Sequence, residues 1–190
     1  LNLVQNFPLR NGYESVELFS QDYKVKPYII FPSLSDIRNS LFGYRSGGWS
    51  HYNPFSKCNI PMNDYLQKYF FHHSYSNQRR TNSSHTKFIL MSSDNFQTLD
   101  WVLFTSANMS KQAWGTTPTK DTIKSHRPIS AVSNYETGVL ISPTDYGSGK
   151  KLVPLEIGEE RKLSDDEIPI ILPFRLPPEQ YKADLSLIHI

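Results

Sequence analysis

Trp101-Val102-Leu103-Phe104-Thr105-Ser106-Ala107-Asn108-Met109-Ser110-Lys111-Gln112-Ala113-Trp114-Gly115 carries the clearest structural signal in the chain. It opens on a short apolar run, which predicts a strand over 101–105. A polar turn follows, and a helix is expected from near Ser110, carrying Ala113 and Trp114. Just upstream stands a second apolar run, Ser84-His85-Thr86-Lys87-Phe88-Ile89-Leu90-Met91, which predicts a strand over 86–91. Strands running into helices through polar turns indicate a mixed α/β domain.

Both runs carry polar residues at their ends. The first ends in Ser106-x-Asn108, and the second begins His85-x-Lys87. Successive side chains on a strand alternate faces, so His85 and Lys87 are expected to point the same way. An imidazole able to take or give a proton would then lie beside a fixed positive charge. The Asn108 amide adds hydrogen-bond donors. Such a set suits a phosphoryl group, whose chemistry needs proton transfer and stabilised equatorial oxygens. Taken alone, a His-x-Lys is just as well the polar face of an ordinary strand. Ser106 has no glycine elbow around it, so it reads as a structural or phosphate-contacting hydroxyl rather than a nucleophile. Ser110 is the better phosphate contact, because backbone N–H groups are free near a helix start.

These residues resemble the tyrosyl-DNA phosphodiesterase family of the phospholipase D superfamily, specifically its second half. The block Val102 to Gly115 is similar to the family's signature around its second Asn. Tyr135-Glu136-Thr137-Gly138-Val139-Leu140 resembles a later family block. Upstream, Ile30-Phe31-Pro32-Ser33, Asp36-Ile37-Arg38-Asn39-Ser40-Leu41 and Gly43-Tyr44 are similar again, and so is Leu176-Pro177-Pro178-Glu179-Gln180-Tyr181. Many superfamily members carry Asp five residues after the Lys. Here that position is Ser92, with Asp94 two further on, and the phosphodiesterase family is similarly His-Lys-Asn.

The resemblance implies an α-β-α sandwich with a mixed central sheet, one half of a pseudo-twofold phospholipase D-like fold. It implies that residues 1–190 are a C-terminal domain whose N-terminal catalytic half lies elsewhere in the same protein. His85 would be the general acid and base, with Lys87 and Asn108 holding phosphate oxygens. Glu136 is the acidic candidate for orienting a catalytic histidine, either His85 or one on the other half. The implied reaction is cleavage of tyrosine from a DNA 3′ phosphate, the link left by stalled topoisomerase I, through a phosphohistidine. Neither metal nor cofactor is expected, since Lys and Asn take the charge-stabilising role. The implied partners are DNA 3′ ends bearing a topoisomerase I tyrosyl peptide and the other half of the protein. The implied parent is a monomeric nuclear DNA repair enzyme with exonuclease character.

A motif count sets one limit. Hydrolysis through a phosphohistidine needs one His as nucleophile and another as acid and base. Of His51, His72, His73, His85, His126 and His189, only His85 opens a His-x-Lys. The chain therefore holds half an active site, and these residues alone are expected to be inactive. Two other arrangements stand beside a missing half. One is a homodimeric phospholipase D-type nuclease. The other is a non-catalytic DNA- or protein-docking domain that keeps the motif by descent.

Composition bounds the rest. A chain of 190 residues suits one domain. A net charge of +2 is too weak to argue for nucleic acid by itself. The lone cysteine, Cys58, excludes an intrachain disulfide framework and favours a reducing compartment. No apolar run approaches membrane-spanning length, and the absence of an initiator Met at Leu1 suggests a fragment. A buried strand is expected at Tyr28–Phe31. A short helix should follow, capped by Ser33 and Asp36 and stopped by Gly43. Residues 44–58 read as a loop, and a further helix is expected from Asp64 to about Phe71. Polar loops are expected at 72–84 and 116–130, and strands at 138–142 and 168–172. His72-His73 reads as surface, Trp101 and Trp114 as core. Arg79-Arg80 and Lys150-Lys151 read as loop charge more readily than as a polyanion contact.

Overall fold

The computed structural model describes residues 25–49, 69–72, 81–82, 85–115 and 132–181. Two compact units divide the chain. One holds Thr86–Ile89 and Leu103–Leu140; the other holds Tyr28–His85, Leu90–Val102 and Ile141–Ile190.

The second unit begins with β1, Ile29–Ile30, and α1, Leu34–Arg38. Ser33 caps α1 as expected. Its hydroxyl accepts the Asp36 N–H at 3.1 Å, and the Asp36 carboxylate accepts the Ser33 N–H at 2.7 Å. This reciprocal pair satisfies two donors that a helix start leaves open. The helix ends at Arg38 with Asn39 as its cap. Gly43 therefore does not stop it. With φ of 54°, Gly43 instead opens a 3-10 turn, Gly43–Trp49, where the missing Cβ removes the left-handed penalty.

The expected helix through Phe71 is corrected. Phe70–His72 is a strand, β2, pairing parallel with β1 in the register Ile29 to Phe70 and Ile30 to Phe71. Phe70 and Phe71 are both buried, and a strand covered on both faces has no alternation to distinguish it from a helix. Asp64 to Lys68 lie outside the described residues. His72 is likewise no surface residue. Its Nε2 lies 3.4 Å from Asp36 Oδ1, so one carboxylate both caps α1 and meets β2. The last strand of this sheet, β8 (Glu179–Gln180), runs antiparallel to β2. Tyr181 follows it, stacks on Phe70 and donates its hydroxyl to the Phe31 carbonyl. Burial pushes that phenol well above its ordinary range, and the Asp36 charge adds to the effect.

Lys151–Glu156 and Glu167–Leu172 form β6 and β7, paired parallel over their whole length. β7 falls within one residue of expectation, whereas β6 was not foreseen. Leu152, Val153, Leu155, Ile170 and Leu172 are buried there, and Leu99 joins them through a bridge to Leu152. Lys150 and Lys151 are engaged by the Asp165 carbonyl and the Asp166 carboxylate.

β3 (Lys87–Met91), β4 (Trp101–Thr105) and β5 (Gly138–Ile141) form a sheet in that order, with β4 central. The expected mixed sheet is thus, among the described residues, three small sheets of three, three and two strands. The turn between β3 and β4 is built by Asp94. Its carboxylate accepts the Thr98 N–H at 2.9 Å, the Thr98 hydroxyl at 2.6 Å and the Ser92 hydroxyl at 2.9 Å. These bonds hold Asn95 and Phe96 at φ of 59° and 66°, a conformation rare for residues with a Cβ.

Candidate active site

In the first unit, Phe88 of β3 packs edge-on against Phe104 of β4, ring centres 4.7 Å apart. That contact sets Lys87, the first residue of β3, beside the end of β4. Lys87 is half-buried. Burial lowers its pKa below the ordinary lysine value, and the nearby Glu136 charge pulls it back up.

β4 ends at Thr105, and the next two residues are stapled to the segment before β5. The Ser106 N–H donates to the Thr137 carbonyl at 2.9 Å. The Thr137 N–H donates to the Ser106 hydroxyl oxygen at 3.0 Å. That hydroxyl donates to Glu136 Oε2 at 2.5 Å, and the Asn134 amide donates to Oε1 at 3.1 Å. Hydrogen bonds from Ser106 and Asn134 hold the Glu136 carboxyl below the usual glutamate range, with the Lys87 charge adding to them against burial. Gly138 lets β5 approach this closely. A Cβ there would stand 2.7 Å from the Phe104 carbonyl oxygen.

Asn108 is exposed, and its backbone carbonyl is held twice. It accepts the Ser110 N–H at 2.7 Å and the Trp114 indole N–H at 3.0 Å. Trp114 is therefore not core. It is 36% exposed and fixes the turn that presents Asn108, while Trp101 is half-buried. Ser110 precedes α2, Lys111–Trp114, and its hydroxyl accepts the Ala113 N–H at 3.3 Å. As an acceptor it keeps its proton for donation. A single helical turn aligns few peptide dipoles, so the helix-start argument for Ser110 is weaker than the sequence suggests.

His85 is exposed and lies two residues before β3 begins. Strand alternation thus does not reach it, and the compact units divide between His85 and Thr86. One unit holds Lys87, Ser106, Asn108, Ser110 and Glu136, and within it a hydrogen bond joins Ser106 to Glu136. Sequence reasoning gave Ser106 only a general role and missed Asn134. Nothing in a lone Asn two residues before a Glu marks it as a carboxylate partner. Among the described residues, no group of three His, Cys, Asp or Glu could hold a metal ion. No described helix is long and apolar enough to cross a membrane.

A half-buried lysine, an exposed asparagine and a stapled glutamate thus stand on one compact unit of a mixed α/β scaffold. That scaffold matches solved phosphodiesterases of the phospholipase D-like fold. A yeast tyrosyl-DNA phosphodiesterase superposes with a TM-score of 0.67 at 26% identity, covering 92% of this chain and 40% of that one. A variant of the yeast enzyme gives 0.70 at 26% identity, covering 98% and 43%. In sequence, tyrosyl-DNA phosphodiesterase 1 of Saccharomyces cerevisiae is 28% identical over 184 residues, covering 83% of this chain and 30% of the relative. The Drosophila melanogaster protein of the same name is 31% identical over 159 residues, covering 82% and 25%. The chain thus spans between a quarter and a third of the length of these two relatives. The family model described as Tyrosyl-DNA phosphodiesterase matches residues 5–182, and the chain belongs to that family.

Proposed function

We propose that this chain supplies half of the active site of a DNA repair phosphodiesterase. The enzyme hydrolyses the 3′-phosphotyrosyl link between DNA and topoisomerase I through a phosphohistidine. The observation that carries this reading is the Ser106–Glu136 staple, which sets a carboxylate within electrostatic reach of Lys87 at the strand end that leads to Asn108. Lys87 and Asn108 hold the phosphate oxygens, and Ser110 adds a hydroxyl. His85 protonates the departing tyrosyl oxygen and later activates water. Glu136 orients a catalytic histidine, and its carboxylate oxygens each keep a lone pair for that bond beyond those given to Ser106 and Asn134.

The nucleophilic histidine comes from a second His-x-Lys in another segment of the same protein. The two segments make the pseudo-twofold α-β-α halves of a monomeric nuclear enzyme. Its partners are DNA 3′ ends bearing a tyrosyl peptide, and it needs no metal or cofactor. The test is release of tyrosine from a 3′-phosphotyrosyl oligonucleotide by the protein carrying both motifs. Turnover that survives excess chelator and disappears in Lys87→Ala supports the reading. Turnover abolished by EDTA and restored by magnesium would assign the protein to a metal-dependent nuclease class.

A further inference from the structure

Ser106 makes more bonds to the segment before β5 than a turn requires. Its backbone N–H, at 2.9 Å from the Thr137 carbonyl, already closes the link between the two segments. The Thr105 hydroxyl reinforces it, donating to the same carbonyl at 3.2 Å. The Ser106 side chain is therefore spare for another purpose. A serine hydroxyl has one proton and two lone pairs. The Thr137 N–H occupies a lone pair at 3.0 Å. Two acceptors compete for the proton, Glu136 Oε2 at 2.5 Å and the Thr137 carbonyl at 3.4 Å. The nearer one is charged, and hydrogen bonds to a charged acceptor are the stronger. The hydroxyl is thus oriented from behind and aimed at the carboxylate.

We propose that Ser106 is a positioning residue: its hydroxyl, oriented by Thr137, fixes the Glu136 carboxylate at the end of the sheet where β3 begins with Lys87 and β4 leads to Asn108. The proposal rests on the reading of Lys87 as a phosphate-holding cation. Lys87 lies on β3, Ser106 at the end of β4, and Glu136 just before β5, so the relay crosses all three strand ends of the sheet. Among the described residues, the groups acting on Glu136 are Ser106, Asn134 and the Lys87 charge. Without the hydroxyl, the carboxylate loses its shortest bond and takes up a proton at higher pH. Freed from the clamp, the ionised carboxylate also gives the Lys87 charge less support at alkaline pH.

The sharpest readout is the Glu136 carboxyl itself, followed by carbon NMR in the full chain and assigned by its loss in Glu136→Gln. In Ser106→Ala its titration midpoint moves up; in Ser106→Thr, which keeps the hydroxyl, it returns toward the parent value. The second readout is the pH profile of kcat/KM on a 3′-phosphotyrosyl oligonucleotide, in the protein carrying both His-x-Lys motifs. The basic limb, set by Lys87, moves down in Ser106→Ala and returns toward the parent position in Ser106→Thr. An unmoved carboxyl titration in Ser106→Ala overturns the proposal whatever the activity does. So does a moved titration with an unmoved basic limb. A moved titration in a protein that never releases tyrosine supports the clamp and sinks the phosphodiesterase reading instead. Should Ser106→Ala fail to fold, Ser106→Cys, a weaker donor of similar size, carries the same measurement.

Discussion

Lys87 is half-buried at the start of β3, and burial favours its neutral form. Glu136 works against that tendency, which gives a pH prediction with a definite sign. On the proposed function, protonated Lys87 is the form that binds phosphate. The basic limb of kcat/KM should therefore fall below the ~10.4 of an exposed lysine. Glu136→Gln removes the supporting charge, so the limb should move lower still, read from a pH series between neutral and alkaline conditions. An unmoved limb would detach Glu136 from Lys87. His85 makes a separate prediction, in the protein carrying both motifs. A tyrosyl leaving group has a pKa near ~10, so it departs fairly well with poor protonation, whereas water depends on its base. His85→Asn should accumulate a covalent enzyme–DNA adduct, seen as a shifted band on a denaturing gel. Lys87→Ala should slow both steps and collect little. The reverse pattern would remove the acid and base role from His85. At this scale the sequence named Lys87, Asn108 and Glu136, whose chemistry is local to each side chain. It could not name Asn134, whose value lies wholly in being near Glu136.

The elements that carry these residues are short, and each depends on one special contact. β5 approaches β4 only because position 138 lacks a Cβ. Gly138→Ala meets a backbone carbonyl that cannot rotate away, so the strands must part. The expected cost is about 1–3 kcal/mol, typical of overpacking. It should appear as a lowered midpoint in chemical denaturation, together with loss of the Ser106–Glu136 staple next to it. Unchanged stability would mean the strands have room to spare. The β3–β4 turn depends on Asp94, whose carboxyl is held below the ordinary aspartate range by its bonds to Thr98 and Ser92, against the effect of burial. Its stabilisation is present above the unfolded value of ~3.9 and is lost as pH falls through the folded one. Asp94→Ala should therefore narrow the gap in thermal midpoint between pH 7 and strongly acidic solution. An equal gap in both proteins would deny the carboxylate this role. Strands β3, β4 and β7 were legible because their apolar runs are bounded by polar residues. β2 was not, because Phe70-Phe71-His72 carries no period that separates a doubly buried strand from a helix turn.

For the molecule as a whole, the governing number is the single His-x-Lys. A phosphohistidine route needs two histidines. These 190 residues alone should therefore release no tyrosine from a 3′-phosphotyrosyl oligonucleotide at an enzyme-like rate. Turnover that scales with this chain and disappears in His85→Ala would overturn the half-site argument. A size measurement on the purified chain separates the homodimeric alternative, since a dimer would supply two copies of His85. Local sequence pattern was enough for the α/β class, the capped helix after Ser33, the strand ends that bear Lys87 and lead to Asn108, and the family. Those features are written in neighbouring residues: a capping box four residues long, an apolar run, a motif of fixed spacing. Long-range packing was needed to make β2 a strand, to bring His72 to the Asp36 that caps α1, and to direct the Ser106 proton to Glu136. Each of these joins residues some 30 or more positions apart. A hydrogen bond or strand pairing across that span depends on where the rest of the chain folds, which no local pattern records.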